Sequence, residues 1–151
     1  MLTIKKILAP VDFTDTSTHS LGYAVDLAVA LGAAISVVHV FQPPVYSFAD
    51  AVLVIPPDLV AKISDKAQRL LDAAVDSHRK RCPAISGALI TGAAWEEIGR
   101  FAKEQNADLI VMGTHGRRGL PRAILGSVAE RVVRASTVPV LTVHGPDNAA
   151  T

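Results

Sequence analysis

The sequence has little of several features that would point to a particular class of protein. One cysteine, Cys82, occurs among 151 residues, so no internal disulfide can form and the core must stabilise the fold. Fifteen lysines and arginines nearly balance fourteen aspartates and glutamates. The net charge of +1 provides no general field for holding a nucleic-acid backbone, and we expect no nucleic-acid partner.

Long apolar runs are also lacking. The longest uncharged apolar stretch, from Leu27 to Val38, has about 12 residues, whereas a membrane-spanning helix needs about 20. The N-terminal segment is too short for a signal-peptide core, so we expect a cytoplasmic protein without a membrane partner. Because 50% of the residues are hydrophobic, the chain has enough apolar material for a buried core, which excludes disorder throughout.

Five short runs rich in β-branched residues predict five strands. They are Ile7–Val11, Ala34–Val40, Ile85–Ile90, Asp108–Met112 and Val138–Val143. Most are continuously apolar rather than alternating, which is typical of strands covered on both faces.

Helical patterns fill the gaps between these strands. A cap-rich cluster at 14–17 predicts a helix that ends near Gly32, and further helices are expected after Asp58, over 94–105 and over 127–135. The second helix is expected to bury a stripe made of Leu59, Ile63, Ala67, Leu70 and Ala74. Phe41–Pro57 is the one long stretch read as irregular, and such loops are commonly lids or contact surfaces.

Alternation of strands with helices predicts a doubly wound parallel sheet with helices on both faces, in a single α/β domain over 1–151 with an ordered core of about 3–144. Such sheets bind ligands where the strand order reverses, at the carboxyl ends of the strands. The segment after the fourth strand is therefore the first place to look for a site.

A glycine-rich loop follows the fourth strand, and cationic residues are concentrated in it. Glycines at 113, 116 and 119 allow backbone N–H groups close to a ligand, and Gly126-Ser127 opens the fourth helix with its unpaired N–H groups. Arg117, Arg118 and Arg122 lie between them. The segment is a plausible phosphate site, or a connecting loop with solvated arginines; it matches neither the P-loop nor the dinucleotide fingerprint.

The spacing Gly113-x2-Gly116-x9-Gly126-Ser127 resembles the nucleotide-binding signature of the universal stress protein family. The first strand with Asp12, the fourth strand with its glycines, the helix from Ser127 and the final strand resemble that family too, so the similarity covers almost the whole chain. The resemblance implies a Rossmann-like sheet of order 3-2-1-4-5 and an ATP-binding protein, with ADP or AMP as alternatives.

The resemblance also implies which residues form the nucleotide site. They are Pro10, Val11 and Asp12 beside the nucleoside, Val40 through its backbone at the adenine edge, Met112 and Gly113 at the ribose, and Gly116, Arg117, Gly126, Ser127 and Val128 at the phosphates.

For several residues, two readings remain open. Asp12 could contact the nucleoside or a phosphate-bound Mg²⁺, or cap the first helix. His115 could donate to a phosphate or be satisfied by backbone, and Arg118 could bind phosphate or face solvent. Ser127 is either a phosphate ligand or a helix cap alone. The other histidines, His39 among them, show no metal-ligand spacing, and structural roles are expected for them.

The function expected is that of a dimeric, nucleotide-dependent regulatory or stress-response module. The alternatives are an interaction protein without a physiological nucleotide, and a weak ATPase or phosphotransferase; no catalytic residue is assigned, because no base or second acid is evident near the glycine loop. A homodimer through the apolar fifth strand is expected, unless Pro139 protects that edge.

Overall fold

Strands and helices alternate along the chain as the sequence predicts. The structure is a computed structural model that describes residues 1–43, 46–48, 51–53, 55–114 and 125–146. In chain order the elements are β1 (Lys6–Pro10), α1 (Asp15–Leu31), β2 (Ala34–Phe41), β3 (Tyr46–Phe48), β4 (Ala51–Leu53), α2 (Pro57–His78), β5 (Ile85–Thr91), α3 (Ala94–Glu104), β6 (Leu109–Gly113), α4 (Ser127–Ala135) and β7 (Val140–Val143).

Five of the strands form one parallel sheet in the order β5-β2-β1-β6-β7. Counted along the chain without β3 and β4, this is the order 3-2-1-4-5, so the expected doubly wound fold is confirmed. From β1 the chain moves outward through β2 to β5, and it then returns to the other side of β1 to form β6 and β7. The strand order therefore reverses between β1 and β6, where open α/β sheets form their ligand crevice.

The helices cover both faces of this sheet, and each face has its own apolar cluster. On one face α1 and α2 pack on the strands around residues such as Val25, Val37 and Leu71, which are almost completely buried. On the other face α3 and α4 pack around Leu8 and Ile110, which are fully buried. Central strands buried on both sides explain why their sequences are continuously apolar.

The segment Phe41–Pro57 is not wholly irregular, which corrects the expectation from the sequence. Tyr46–Phe48 and Ala51–Leu53 pair as a short antiparallel hairpin outside the main sheet. Tyrosine, phenylalanine and valine favour extended backbone. Two three-residue strands give too short an alternating pattern to stand out among the surrounding prolines.

Helix α2 buries only part of the stripe that the sequence suggested. Ala67 is buried as expected and Ala74 packs against the core, whereas Leu59 and Leu70 are 47% and 42% exposed. The other buried residues of the helix are Leu71 and Val75. Because Leu70 and Leu71 are adjacent, the helical periodicity allows either of them to face the sheet.

The last strand begins two residues later than the sequence suggested. The hydroxyl of Ser136 accepts from the N–H of Val138 at 3.0 Å and donates to its carbonyl at 2.8 Å. This local turn occupies the backbone groups of Val138, so ladder pairing starts only beyond it. Among the described residues, no helix is long and apolar enough to cross a membrane.

Asp108 connects the starts of two neighbouring strands. Its Oδ2 accepts from the backbone N–H groups of Lys5 at 2.8 Å and Lys6 at 2.9 Å, just where β1 begins. These two hydrogen bonds, with the charge of Lys6 as a smaller cause, lower the pKa of Asp108 below its ordinary value.

We predict that Asp108→Asn makes the stability of the fold less sensitive to acid. A carboxyl group whose pKa is lowered on folding stabilises the native state above its unfolded pKa of about 3.9, and this contribution is lost as the pH falls through the folded pKa. Urea unfolding at pH 7 should show Asp108→Asn less stable than the native chain, with the gap narrowing as the pH falls below about 3.9 toward the lower folded pKa. Asp65→Asn, on the exposed side of α2, is the control; a gap that does not narrow on acidification contradicts the prediction.

Candidate functional site

A cavity of about 460 Å³ lies at the carboxyl ends of β1, β2 and β6, where the strand order reverses. The N-terminal ends of α1, α3 and α4 complete its wall. Its lining residues are Pro10, Val11, Asp12, Ser17, Val38, His39, Val40, Ala94, Ile98, Met112, Gly113, Thr114, Gly126, Ser127, Val128 and Ala129. The volume falls within the range of roughly 300–1,000 Å³ that is usual for small-molecule sites.

The structure brings together every sequence-predicted site residue that it describes. Those that line the cavity are Pro10, Val11, Asp12, Val40, Met112, Gly113, Gly126, Ser127 and Val128. The other predicted residues, His115, Gly116, Arg117 and Arg118, lie outside the described part of the chain, as does Arg122.

Asp12 lies in the turn that joins β1 to α1. Its backbone N–H donates to Ser17 Oγ at 3.2 Å, and its Oδ1 accepts from the backbone N–H of Thr14 at 3.1 Å and from the Thr14 hydroxyl at 2.6 Å. Thr14 is the residue that caps α1, because its Oγ1 accepts from the N–H of Ser17 at 3.3 Å. Asp12 therefore does not cap α1 directly; it orients the threonine that does.

His39 reaches the same turn from the neighbouring strand β2. Its Nδ1 lies 2.7 Å from the carbonyl oxygen of Val11, and its ring lies against that of Phe13 with a centroid separation of 4.5 Å. His39 therefore makes structural contacts with the turn, as expected, and it also lines the cavity.

The N-terminus of α4 is built differently from that of α1. Gly126 is its N-cap residue, and among the described residues no side chain makes a capping hydrogen bond there. The N–H of Gly126 itself donates to the carbonyl of Thr114 at 2.6 Å. Ser127 is exposed at the first helical position, so its hydroxyl and the first N–H groups of α4 adjoin the cavity where an anion is favoured.

Thr114 connects the end of β6 to two other elements. It is 1% exposed, its N–H donates to Val143 of β7 at 3.0 Å, and its carbonyl accepts from Gly126 before α4. The glycine before it is needed for packing as well, because a Cβ on Gly113 would lie 2.9 Å from Cγ2 of Thr16. The sequence predicted that Gly113 lets the backbone approach a ligand and faces the ribose; its close packing against Thr16 of α1 was not predicted.

One side of the cavity is apolar. Val40 and Met112 from the strands, with Ile98 from α3, belong to the cluster on the α3–α4 face of the sheet. Trp95, next to the lining residue Ala94, packs against that cluster and lies under the guanidinium of Arg131 at 5.9 Å. An apolar wall opposite polar groups at the strand ends is the usual arrangement for orienting a small molecule.

Some lining residues were not predicted from the sequence. They are Ser17, Val38, His39, Ala94, Ile98, Thr114 and Ala129. Val38, His39, Thr114 and Ala129 lie next to or near predicted positions in the sequence, and this proximity is the signal that could have identified them. Ala94 and Ile98 belong to a helix that follows a strand at the edge of the sheet, and no local motif marks them.

The charge of the described lining is modest. Asp12 is the carboxylate of the lining, and within the residues that the structure describes no cluster of three His, Cys, Asp or Glu side chains could hold a metal ion. A single carboxylate still fits Mg²⁺ that arrives with phosphate, since Mg²⁺ is usually bound by one or two carboxylates together with substrate phosphates.

A family model and a curated relative both match this chain over most of its length. The model of the universal stress protein family matches residues 3–144. Universal stress protein MJ0531 of Methanocaldococcus jannaschii is 33% identical over 143 residues, which cover 94% of this chain and 83% of that protein.

Two solved structures share the fold and contain a nucleotide. A universal stress protein in complex with cAMP aligns with a TM-score of 0.73 at 23% identity, over 95% of this chain and 99% of that chain. The universal stress protein from Archaeoglobus fulgidus in complex with dAMP aligns with a TM-score of 0.64 at 23% identity, over 94% of this chain and 98% of that chain. At these identities the likeness establishes the fold.

The family match covers both the β1 turn and the N-terminus of α4, the two polar sides of the cavity. The sheet order expected from the resemblance is the order found. The chain belongs to the universal stress protein family.

Proposed function

We propose that this protein binds an adenine nucleotide, ATP with Mg²⁺ in the first place, and acts as a dimeric regulatory module that responds to it. The observation that carries the proposal is the cavity at the strand-order reversal, with the N-terminus of α4, where Gly126 is the N-cap residue, on its wall. The glycine signature 113-x2-116-x9-126-127 begins and ends at this cavity. Two universal stress proteins of the same fold form complexes with cAMP and dAMP, which supports adenine as the base.

The apolar side of the cavity is the place we assign to the base. Val40 and Ile98 offer apolar surface to a planar ring, and strand ends supply backbone groups that can read its edge. Asp12, in the turn after the neighbouring strand β1, is assigned to the ribose or to a phosphate-bound Mg²⁺. Met112 and Gly113, at the end of β6 on the other side of β1 from β2, also line the cavity and are assigned to the ribose.

The N-terminus of α4 is the place we assign to the phosphates. No described side chain caps this helix, and a phosphate offers several acceptors to its first N–H groups in the field of the helix dipole. Ser127 adds a hydroxyl. His115, Gly116, Arg117 and Arg118 belong to the loop that leads to this helix, and we assign them to the phosphates on the sequence signature alone.

The open edge of β7 is the place we assign to the second subunit. Among the strands that the structure describes, β7 pairs with β6 and forms the edge of the sheet. The carbonyls of Pro139 and Val143 accept from β6 or its extension, so the backbone groups of Val140 and Thr142 point to the opposite side. The N–H that Pro139 lacks would face β6, so this proline does not protect the open edge. An unprotected apolar edge favours pairing with a second copy.

We predict that isothermal titration with MgATP gives saturable binding of one nucleotide per chain, which Gly126→Val weakens at least about tenfold, or about 1.4 kcal/mol. Gly126 is buried and has ordinary dihedral angles (φ −59°, ψ 155°), so valine adds bulk at the cavity without requiring a left-handed backbone. Gly99→Val is the matched control, because a Cβ there has nothing within 4 Å and Gly99 does not line the cavity.

The fluorescence of Trp95, the one tryptophan in the chain, offers an independent signal of binding, since its neighbour Ala94 lines the cavity. An absence of binding heat at millimolar MgATP contradicts the proposed function. An equal loss of affinity in Gly126→Val and Gly99→Val contradicts the assignment of the phosphates to α4.

We also predict that light scattering during gel filtration gives a mass near twice 15.9 kDa for the native chain, and near 15.9 kDa for Thr142→Pro. Proline removes an N–H that points to the open edge and leaves the hydrogen bonds to β6 in place. Thr142→Val, which keeps the N–H, should remain dimeric. A monomeric native chain, or a dimer that survives Thr142→Pro, excludes the β7 edge as the interface.

A further inference from the structure

Phe13, in the turn after β1, adopts a backbone conformation that a bulky residue rarely tolerates. Its φ is +63°, in the left-handed region. In the part of the chain that the structure describes, the other non-glycine residue with positive φ is Asn106, and asparagine is among the residues that accept this conformation. A phenylalanine persists there only when its surroundings hold it in place.

His39 makes the contacts that hold this turn from the side of β2. Its ring lies at 4.5 Å from that of Phe13, with an angle of 37° between the planes. Its Nδ1 lies 2.7 Å from the carbonyl oxygen of Val11, two residues earlier in the chain. A carbonyl oxygen can only accept, so Nδ1 carries the proton and donates it to this hydrogen bond. One side chain thus restrains both ends of the turn around Asp12.

The remaining restraints on Asp12 come from α1. Ser17 accepts from its backbone N–H, and Thr14 donates twice to its carboxylate. These contacts fix the residue relative to the helix, whereas His39 fixes the turn relative to the sheet. Since Asp12 lines the cavity, its direction depends on both sets of contacts.

We propose that His39 is a positioning residue for nucleotide binding: it holds the turn 11–13 in its strained conformation and so presents Asp12 to the ligand in a preformed orientation. This inference rests on the proposed function, and it adds to the nucleotide site a residue, His39, that lies outside the glycine signature. A turn released into the ordinary β region at Phe13 would rotate the adjoining peptide and turn Asp12 away from the cavity. Preorganisation of this kind raises affinity because the ordering is complete before the ligand binds.

The test is a double-mutant cycle on MgATP affinity, measured by titration calorimetry. His39→Phe keeps an aromatic ring beside Phe13 and removes the donor, and it should weaken binding about tenfold, the size expected for loss of one hydrogen bond. In an Asp12→Ala background the same substitution should change the affinity by less than about twofold, because His39 acts through Asp12. In a Ser127→Ala background, at the α4 side of the cavity, it should again weaken binding about tenfold.

His39→Asn is the rescue variant, since an asparagine amide can place a donor near the position of Nδ1. It should recover most of the affinity that His39→Phe loses. A purely structural role for His39 predicts instead that affinity follows unfolding free energy across the variants and that the cycle with Asp12 shows no coupling. Equal effects of His39→Phe in the native and Asp12→Ala backgrounds overturn the proposal.

A second readout needs no nucleotide. The three-bond coupling between the amide and α protons of Phe13, measured by NMR in the free protein, reports its φ directly. The native chain and His39→Asn should show the value for positive φ, and His39→Phe the value for extended backbone. A positive φ that survives His39→Phe overturns the proposal. A native chain that binds no MgATP overturns the proposed function. In that case the NMR coupling constant of Phe13 still decides whether the turn depends on His39.

Discussion

The reversal of strand order at β1 is the constraint on which the candidate site depends. Because the chain fills one side of the sheet through β2 and β5 before it returns to form β6, the connections after β1 and β6 leave toward opposite faces. The gap between these connections is the cavity. The same reversal brings the N-termini of α1, α3 and α4 to one edge of the sheet, so a single crevice receives three helix dipoles.

The two polar sides of the cavity use opposite arrangements. At α1, Thr14 caps the helix and Asp12 is restrained by hydrogen bonds, so this side is complete in the absence of a ligand. At α4, Gly126 is the N-cap residue, and among the described residues no side chain caps the helix. Thr114 connects this second side to β7, the open edge of the sheet. A nucleotide bound at α4 would therefore adjoin the backbone that continues into the proposed dimer edge, which suits a regulatory module.

The sequence predicted the main sheet, its four helices and a large part of the cavity lining, because these depend on apolar runs and on a glycine signature with fixed spacing. It did not predict the hairpin at Tyr46–Leu53, since two three-residue strands carry too little periodicity. It selected Leu70 instead of Leu71 as the buried position of α2, because adjacent leucines satisfy the same pattern. His39 was expected to be structural; its contact with Val11 depends on pairing between β1 and β2, which no local pattern encodes.

The most direct test of the nucleotide site is mass spectrometry of the small molecules released when freshly purified protein is denatured. We expect the native protein to release an adenine nucleotide at close to one per chain, and Gly126→Val to release none. The contradicting result is a native protein that releases no nucleotide, either as purified or after incubation with MgATP.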